Sequence, residues 1–443
     1  MKKVLILGAG MVAGPPVTYL LDHGYQVTVA SRTKSKANKI IGDHPNGIAK
    51  EFDITKALGT ELDELMKECD LAVSLLPFIY HVQVAKSCIK YKKHMVTTSY
   101  VSAEMRELDK EAREAGIIIL NEIGVDPGID HMSAKKIIDD VHERGGKITS
   151  FKSYCGGLPA PDANTNPWGY KLSWSPRGVI LAGRNAAKYK EDGKIIEILG
   201  EDLFDQHYPY PVEGLEDDYE AYPNRDSLPY IDVYSIPETK TMFRGTLRNT
   251  GWCRALKKVA EVGYMDLEEL EFPSGFTYNK LTNKLLGVSL DADSKQEFIK
   301  KLNLDHEDDI VKRFEWMELF SDDVEVPSKK ISPLDALCHQ WEKHLQYAPG
   351  ERDMLIMVHE FEYELPEGKE RHISTMIDFG IEHGPTSMSR TVGLPAAIGV
   401  RMILEGKIKD KGVVIPVAKN IYEPVLKELK ELEIGFSERI EKI

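Results

Sequence analysis

Cysteine is scarce and unpatterned: Cys69, Cys88, Cys155, Cys253 and Cys338 are five in 443 residues, with no C-x-x-C among them. An odd, scattered set gives neither a disulfide framework nor zinc-ligand spacing, so no metal site is expected. Long apolar runs are missing too. Val4 to Leu7, Ile117 to Leu120 and Met354 to Val358 fall far short of the ~20 residues that a membrane helix needs, so no membrane partner is expected. Met1-Lys2-Lys3 leads into a short apolar run that meets glycines, without the longer stretch and small-residue cleavage site of a signal peptide. A cytoplasmic protein is expected. A basic excess is also absent, with 57 Lys plus Arg against 71 Asp plus Glu and a formal charge of −14. Sequence-independent nucleic-acid binding needs a basic footprint, so no nucleic-acid partner is expected. No internal repeat or low-complexity segment is visible.

What is present is an ordinary globular balance, 42% hydrophobic. At roughly 150 residues per domain the length predicts about three domains, or two with a large insertion. The first 125 residues alternate strand and helix. Val4 to Leu7, Gln26 to Ala30, Ile48 to Phe52, Leu71 to Leu76, Met95 to Thr98 and Ile117 to Leu120 read as strands. Pro15 to His23, Glu61 to Cys69, Tyr80 to Lys90 and Ala103 to Ala115 read as helices. Continuous rather than alternating apolar strands are buried on both faces, as in a parallel sheet. The fold class expected is therefore α/β, with an N-terminal doubly wound parallel sheet.

Gly8-Ala9-Gly10-Met11-Val12-Ala13 stands where the first strand turns into the first helix and fits G-x-G-x-x-G/A. Gly8 permits the tight turn, Gly10 leaves room for a pyrophosphate, and Ala13 allows close packing of helix on sheet. The proline pair Pro15-Pro16 lies in the first helical turn, where a missing N–H costs little. About 20 residues on, where an NAD site carries an acid for the ribose 2′-OH, the chain reads Ala30-Ser31-Arg32-Thr33-Lys34. A guanidinium flanked by two hydroxyls suits a 2′-phosphate, so the cofactor expected is NADP(H). Asp53, after the third strand, is either an adenine contact or a local cap. Leu76 ends the fourth strand, Thr98, Ser99 and Tyr100 the fifth, and Asn121 to Gly128 the sixth. Ligands of open α/β sheets bind beyond the carboxyl ends of the strands, which makes Tyr100 and Asp126 the first candidates for chemistry.

Lys147 to Cys155 reads as a strand opening a second domain. A long Gly/Pro/Asn-rich stretch from Gly156 to Pro167 reads as irregular, with order argued by Trp168, Tyr170 and Trp174. A helix is expected over Val179 to Ala187. The acidic residues Glu213, Glu216, Asp217, Asp218 and Glu220 read as a solvated loop. Arg225, Arg244 and Arg248 lie among small polar residues in an otherwise negative chain and could serve a ligand with several carboxylates. Gln296 to Lys343 reads as a small helical insert. Met354 to Tyr363 and His372 to Phe379 are further strands, Pro395 to Leu404 is a further helix, and the short apolar run Val413 to Val417 and a charged helix over Tyr422 to Leu432 close the chain.

The stretches GAGMVAGP, ASRT, NEIGVDPGIDHM (Asn121 to Met132), YCGGLPAPDANTNPWGYKLSWSPRGV (Tyr154 to Val179), YPNRDS and RGTLRNTGW (Arg244 to Trp252) together resemble the NADP-dependent, glutamate-forming saccharopine dehydrogenases. The resemblance implies a Rossmann domain over residues 1–130, rejoined by about 390–443. It implies an α+β substrate and dimerisation domain over 131–285 and 350–390, and a small helical insert over 286–349. It implies interconversion of saccharopine with glutamate plus α-aminoadipate δ-semialdehyde, by a homodimer. Gly8, Ala9, Gly10, Met11, Val12, Ser31, Arg32, Thr33, Asp53, Ile54, Leu76, Thr98, Gly124, Val125, Trp174 and Ser175 would then hold NADP(H). Ser99, Tyr100, Asp126, Arg225, Arg244, Thr246, Leu247 and Arg248 would touch substrate. Asp126, Tyr100 and Cys155 would be the catalytic set. Two other readings remain open at this point: an imine reductase of the carboxynorspermidine dehydrogenase kind, and a non-catalytic NADPH-sensing regulator.

Overall fold

The computed structural model describes residues 1–56 and 60–443. The chain forms two compact units, one of Met1–Ile148, Tyr363–Glu370 and Met376–Ile443, the other of Thr149–Glu362 and Arg371–Thr375.

The first unit is built on β1 (Lys3–Leu7), β2 (Gln26–Ser31), β3 (Gly47–Glu51), β4 (Leu71–Ser74), β5 (His94–Thr97) and β6 (Ile118–Leu120), joined by Gly412–Val414 from near the C-terminus. The order is Gly412–Val414, β6, β5, β4, β1, β2, β3, and every pairing is parallel. Ile6 faces Val29 on one side and Val73 on the other, and all three are buried, as a continuous apolar strand in mid-sheet requires. The strand order reverses between β1 and β4, which opens the crevice where such sheets bind ligands. The helix Gly14–Asp22 follows β1, buries Val17, Leu20 and Leu21, and ends just before Gly24, whose φ is 79°. The helix Ser387–Leu404 runs against it. A Cβ at Gly393 would stand 2.5 Å from Pro16 Cδ, so only glycine permits this approach. The charged helix expected over Ala103 to Ala115 is two, Ala103–Glu107 and Asp109–Glu114, divided where the buried Leu108 donates its N–H to the Met105 carbonyl.

In the second unit, β7 (Lys147–Pro159), β8 (Ala187–Glu191), β9 (Lys194–Ile198), β10 (Tyr208–Tyr210), β11 (Tyr219–Pro223) and β12 (Thr241–Asn249) form a mixed sheet in the order β10, β11, β12, β7, with β8 against β12 and β9 against β8, continued by residues 353–362 of the long strand Asp353–Leu365 and 371–375 of Gly368–Phe379. β12 is parallel to β7 and antiparallel to β11. Three expectations are corrected here. The stretch from Gly156 is not irregular at its start, because β7 runs on through Gly156 and Gly157 to Pro159. A Cβ at Gly156 would lie 2.7 Å from the Leu247 carbonyl oxygen, so glycine serves close strand approach rather than a turn. The helix placed over Val179 to Ala187 is Pro176–Ala182, and Ala187 opens β8. Glu220 is no solvated acid. It is buried in β11 and accepts from the Gly251 and Cys253 N–H groups at 3.0 and 2.6 Å, satisfying the start of the helix Trp252–Val262.

The helical stretch contains Ser294–Leu302, Asp309–Trp316 and Pro333–His344 and falls within the second unit. Its core is aromatic. Trp341 packs 6.0 Å from Trp168 and 5.6 Å from Trp252, and Trp168 donates its indole N–H to the Arg313 carbonyl at 3.0 Å.

Candidate active site

The Gly8 to Ala13 turn has the shape that its sequence predicts. Gly8 has φ 111°, and a Cβ there would stand 2.9 Å from the Leu75 carbonyl oxygen. Gly10 is exposed, and a Cβ on it would meet nothing within 4 Å, so the space over the turn is open to a phosphate group. Ala13 is wholly buried, while Met11 projects at 54% exposure. At the end of β2, Ser31 is half-buried and Arg32 and Thr33 are exposed. Thr33 opens the next helix without spending its side chain on a cap. No carboxylate stands among these residues, and the guanidinium with its neighbouring hydroxyls fits a phosphorylated ribose. Asp53 makes a local turn, its Oδ1 accepting from the Thr55 N–H at 3.1 Å and the Thr55 hydroxyl at 2.7 Å. Those bonds, aided by Lys56 and Arg32, hold its carboxyl below the usual carboxylate range. Ile54 is buried and Leu76 half-buried.

Tyr100 and Asp126, 26 positions apart, meet: the phenol donates to Asp126 Oδ1 at 2.8 Å. Both are half-buried. The loops that carry them are braced by a residue to which the sequence pointed without a role. Glu122 accepts the Val101 N–H on Oε1 at 2.8 Å, donates its own N–H to the Ser99 carbonyl, and places Oε2 2.8 Å from His131 Nε2. Tyr100 is thus pinned on both sides. The turn bearing Asp126 is closed by Gly124 N–H to Pro127 O and Asp130 N–H to Val125 O. Gly128, at φ 146°, leaves no room for a Cβ, which would lie 2.1 Å from the Gly124 carbonyl oxygen. Thr98 packs beside Gly124, where a Cβ would stand 3.0 Å from Thr98 Cβ.

A second residue that the sequence did not single out is His81. It is buried, and its ring joins Ser74, Thr97 and Ser99. Burial pushes its pKa down to about 4. A lone histidine opening a helix gives no sequence signal of such a role.

In the second unit the arginines differ from one another. Arg244 and Arg248 are buried in β12 at 4% and 5% exposure, whereas Arg225 is exposed on a turn at φ 55°. The Arg244 guanidinium lies 4.5 Å from the centre of the Tyr230 ring. Arg248 lies 5.5 Å from both the Tyr170 and the Trp252 rings, spends Nη1 on the Leu247 carbonyl at 2.8 Å, and has no hydrogen-bond partner for Nε among the described residues. Nε is a donor on the edge of a guanidinium that receives a carboxylate side-on. Parallel register sets Cys155 of β7 beside Thr246 of β12. Trp174 covers the first turn of the helix Pro176–Ala182, and Ser175 caps that helix by accepting the Gly178 N–H.

Comparison with known proteins gives these features a common origin. Residues 4–120 match the family model of the saccharopine dehydrogenase NADP binding domain, and residues 124–434 that of the saccharopine dehydrogenase C-terminal domain. The chain belongs to the saccharopine dehydrogenase family. Among its relatives are proteins that bear the name saccharopine dehydrogenase [NADP(+), L-glutamate-forming]. The one from Schizosaccharomyces pombe is 42% identical over 99% of each chain, and that from Saccharomyces cerevisiae 42% over 97% of each. A solved structure of the apo, L-Glu-forming saccharopine dehydrogenase from Saccharomyces cerevisiae superposes with a TM-score of 0.88 at 40% identity, over all of both chains. A homospermidine synthase from Legionella pneumophila shares the fold alone, with a TM-score of 0.58 at 11% identity over 99% of this chain and 91% of that one. Among the described residues no helix is long and apolar enough to cross a membrane, and no cluster of three or more His, Cys, Asp or Glu is placed to hold a metal.

Proposed function

We propose that this member of the saccharopine dehydrogenase family is an NADP(H)-dependent oxidoreductase that interconverts saccharopine with glutamate plus α-aminoadipate δ-semialdehyde. The observation that carries the reading is the Tyr100–Asp126 pair, held at 2.8 Å beyond the carboxyl ends of β5 and β6 in a chain 42% identical, end to end, to enzymes of that name. When bound, NADP(H) supplies or takes up the hydride. Gly8 to Val12, Ser31, Arg32, Thr33, Asp53, Ile54, Leu76, Thr98, Gly124 and Val125, with Trp174 and Ser175, are the proposed cofactor contacts.

Saccharopine is a secondary amine with three carboxylates, and a chain of charge −14 must offset them locally. Arg225, Arg244, Arg248, Thr246 and Leu247 are the proposed carboxylate contacts, together with Ser99. In the oxidative direction a C–H beside the amine loses hydride to leave a C=N bond. Water adds to that carbon, and the C–N bond breaks with a proton returning to nitrogen, giving aldehyde and amine. The Asp126 carboxylate stabilises the cationic nitrogen, and Tyr100, already donating to it, is placed to share the proton movements. Cys155, beside Thr246, is a proposed third member of the catalytic set. We extend the proposal to a homodimer, on the family resemblance, and to a cytoplasmic location, on the N-terminal sequence and the shortness of the apolar runs.

The test is to mix the protein with saccharopine and NADP+ and follow NADPH, with NAD+ in parallel. Reduction of NADP+ at a rate well above that of NAD+ is expected. No turnover with saccharopine, or activity with a diamine in place of glutamate in the reverse direction, would overturn the assignment in favour of a polyamine-type imine reductase.

A further inference from the structure

β4 and β5 pair so that Ser74 stands opposite Thr97, and Ser99 lies two residues further on. His81 opens the helix His81–Tyr91 and brings its ring among the three hydroxyls. Nδ1 is 2.8 Å from Ser74 Oγ, and Nε2 is 2.9 Å from Ser99 Oγ and 3.2 Å from Thr97 Oγ1. The ring is buried and neutral, so it carries a single N–H.

Counting hydrogens decides which nitrogen bears it. The Thr97 hydroxyl gives its one hydrogen to the Ser74 carbonyl oxygen at 3.0 Å, so it can face Nε2 only as an acceptor. Nε2 is therefore the N–H. Nδ1 is then the acceptor and takes the hydrogen of the Ser74 hydroxyl, which is wholly buried and has no other acceptor among the described residues. The opposite tautomer would strand that buried hydrogen. With Nε2–H directed at Ser99, the Ser99 oxygen is the acceptor of that bond. Of the four groups, only Ser99 keeps a hydrogen to give away, and of the three hydroxyl residues only Ser99 is half-exposed.

We infer that His81 is a positioning residue that holds Ser99 as a hydrogen-bond donor to a carboxylate oxygen of the substrate. The inference rests on the proposed contact of Ser99 with saccharopine. His81 touches neither cofactor nor the reacting atoms in this role: it fixes the sense of one hydrogen bond and leaves the hydroxyl ready for an acceptor.

Nitrogen NMR of the intact chain with labelled imidazoles reads the tautomer directly. His81 is expected to show a hydrogen-bearing Nε2 and a bare Nδ1. A hydrogen on Nδ1 overturns the inference. In steady-state kinetics, Ser99→Ala and His81→Leu are each expected to raise the KM for saccharopine about tenfold, as loss of one bond to a charged acceptor does, with kcat changed less than about threefold. The double variant is expected to match the single ones. Multiplied effects would overturn the coupling of the two residues. An unchanged KM in Ser99→Ala beside the expected tautomer would overturn the Ser99 contact with substrate, and the inference with it, while leaving the hydrogen count standing.

Discussion

The two groups of site residues are supported in opposite ways. Tyr100 and Asp126 stand on loops beyond strand ends, and polar bonds hold those loops: Glu122 to Val101, Ser99 and His131, and the closed turn from Gly124 to Asp130. Arg244, Thr246 and Arg248 stand within β12 itself, where ladder bonds to β7 and β11 fix the backbone. Their guanidinium groups are met by ring faces, Tyr230 for one and Tyr170 with Trp252 for the other. The contrast teaches what each site asks of its setting. Acid–base groups need one geometry, and a loop supplies it only when its backbone is cross-braced. A carboxylate-binding arginine must be kept in place, and at Arg248 two aromatic faces do so while its Nε stays available to a ligand.

The contrast can be broken at either end. The largest effect is expected from Asp126→Asn, which keeps shape and a hydrogen-bonding group but removes the charge. It should lower kcat by about 10²- to 10³-fold with little change in saccharopine affinity; a normal rate and pH profile would remove Asp126 from the chemistry. A smaller effect, on stability, is expected from Glu122→Ala. It removes the bonds that Glu122 makes to the buried His131 Nε2 and to the Val101 N–H and should cost about 2–4 kcal/mol, read as a lower urea midpoint. An unchanged midpoint would mean that the loop does not depend on this bracing.

The first sheet was legible because its central strands β1, β4 and β6 are near-continuous apolar runs and its first turn carries glycines at a fixed spacing. The seventh strand, Gly412–Val414, was visible only as a short apolar run, since pairing with β6 is decided almost 300 residues away in sequence. Around the sites, Tyr100 and Asp126 could be found from their places after strand ends. Glu122 and His81 could not be given roles, because each acts through partners on other elements. Glu220 misled for the same reason. Its neighbours Glu216, Asp217 and Asp218 are surface acids, but its own carboxylate meets N–H groups 31 and 33 residues further on. Gly156 misled because glycine permits turns and close strand approach alike, and only the Leu247 backbone shows which applies.

The most direct test of the division between chemistry and carboxylate capture is the equilibrium affinity for saccharopine, measured by calorimetry with NADPH bound, which cannot take a hydride from it, in Asp126→Asn and Arg248→Ala. The account predicts that Asp126→Asn binds within about threefold of the unaltered chain, while Arg248→Ala binds about 10- to 100-fold more weakly. Full affinity in Arg248→Ala, with the loss falling on Asp126→Asn instead, would contradict it.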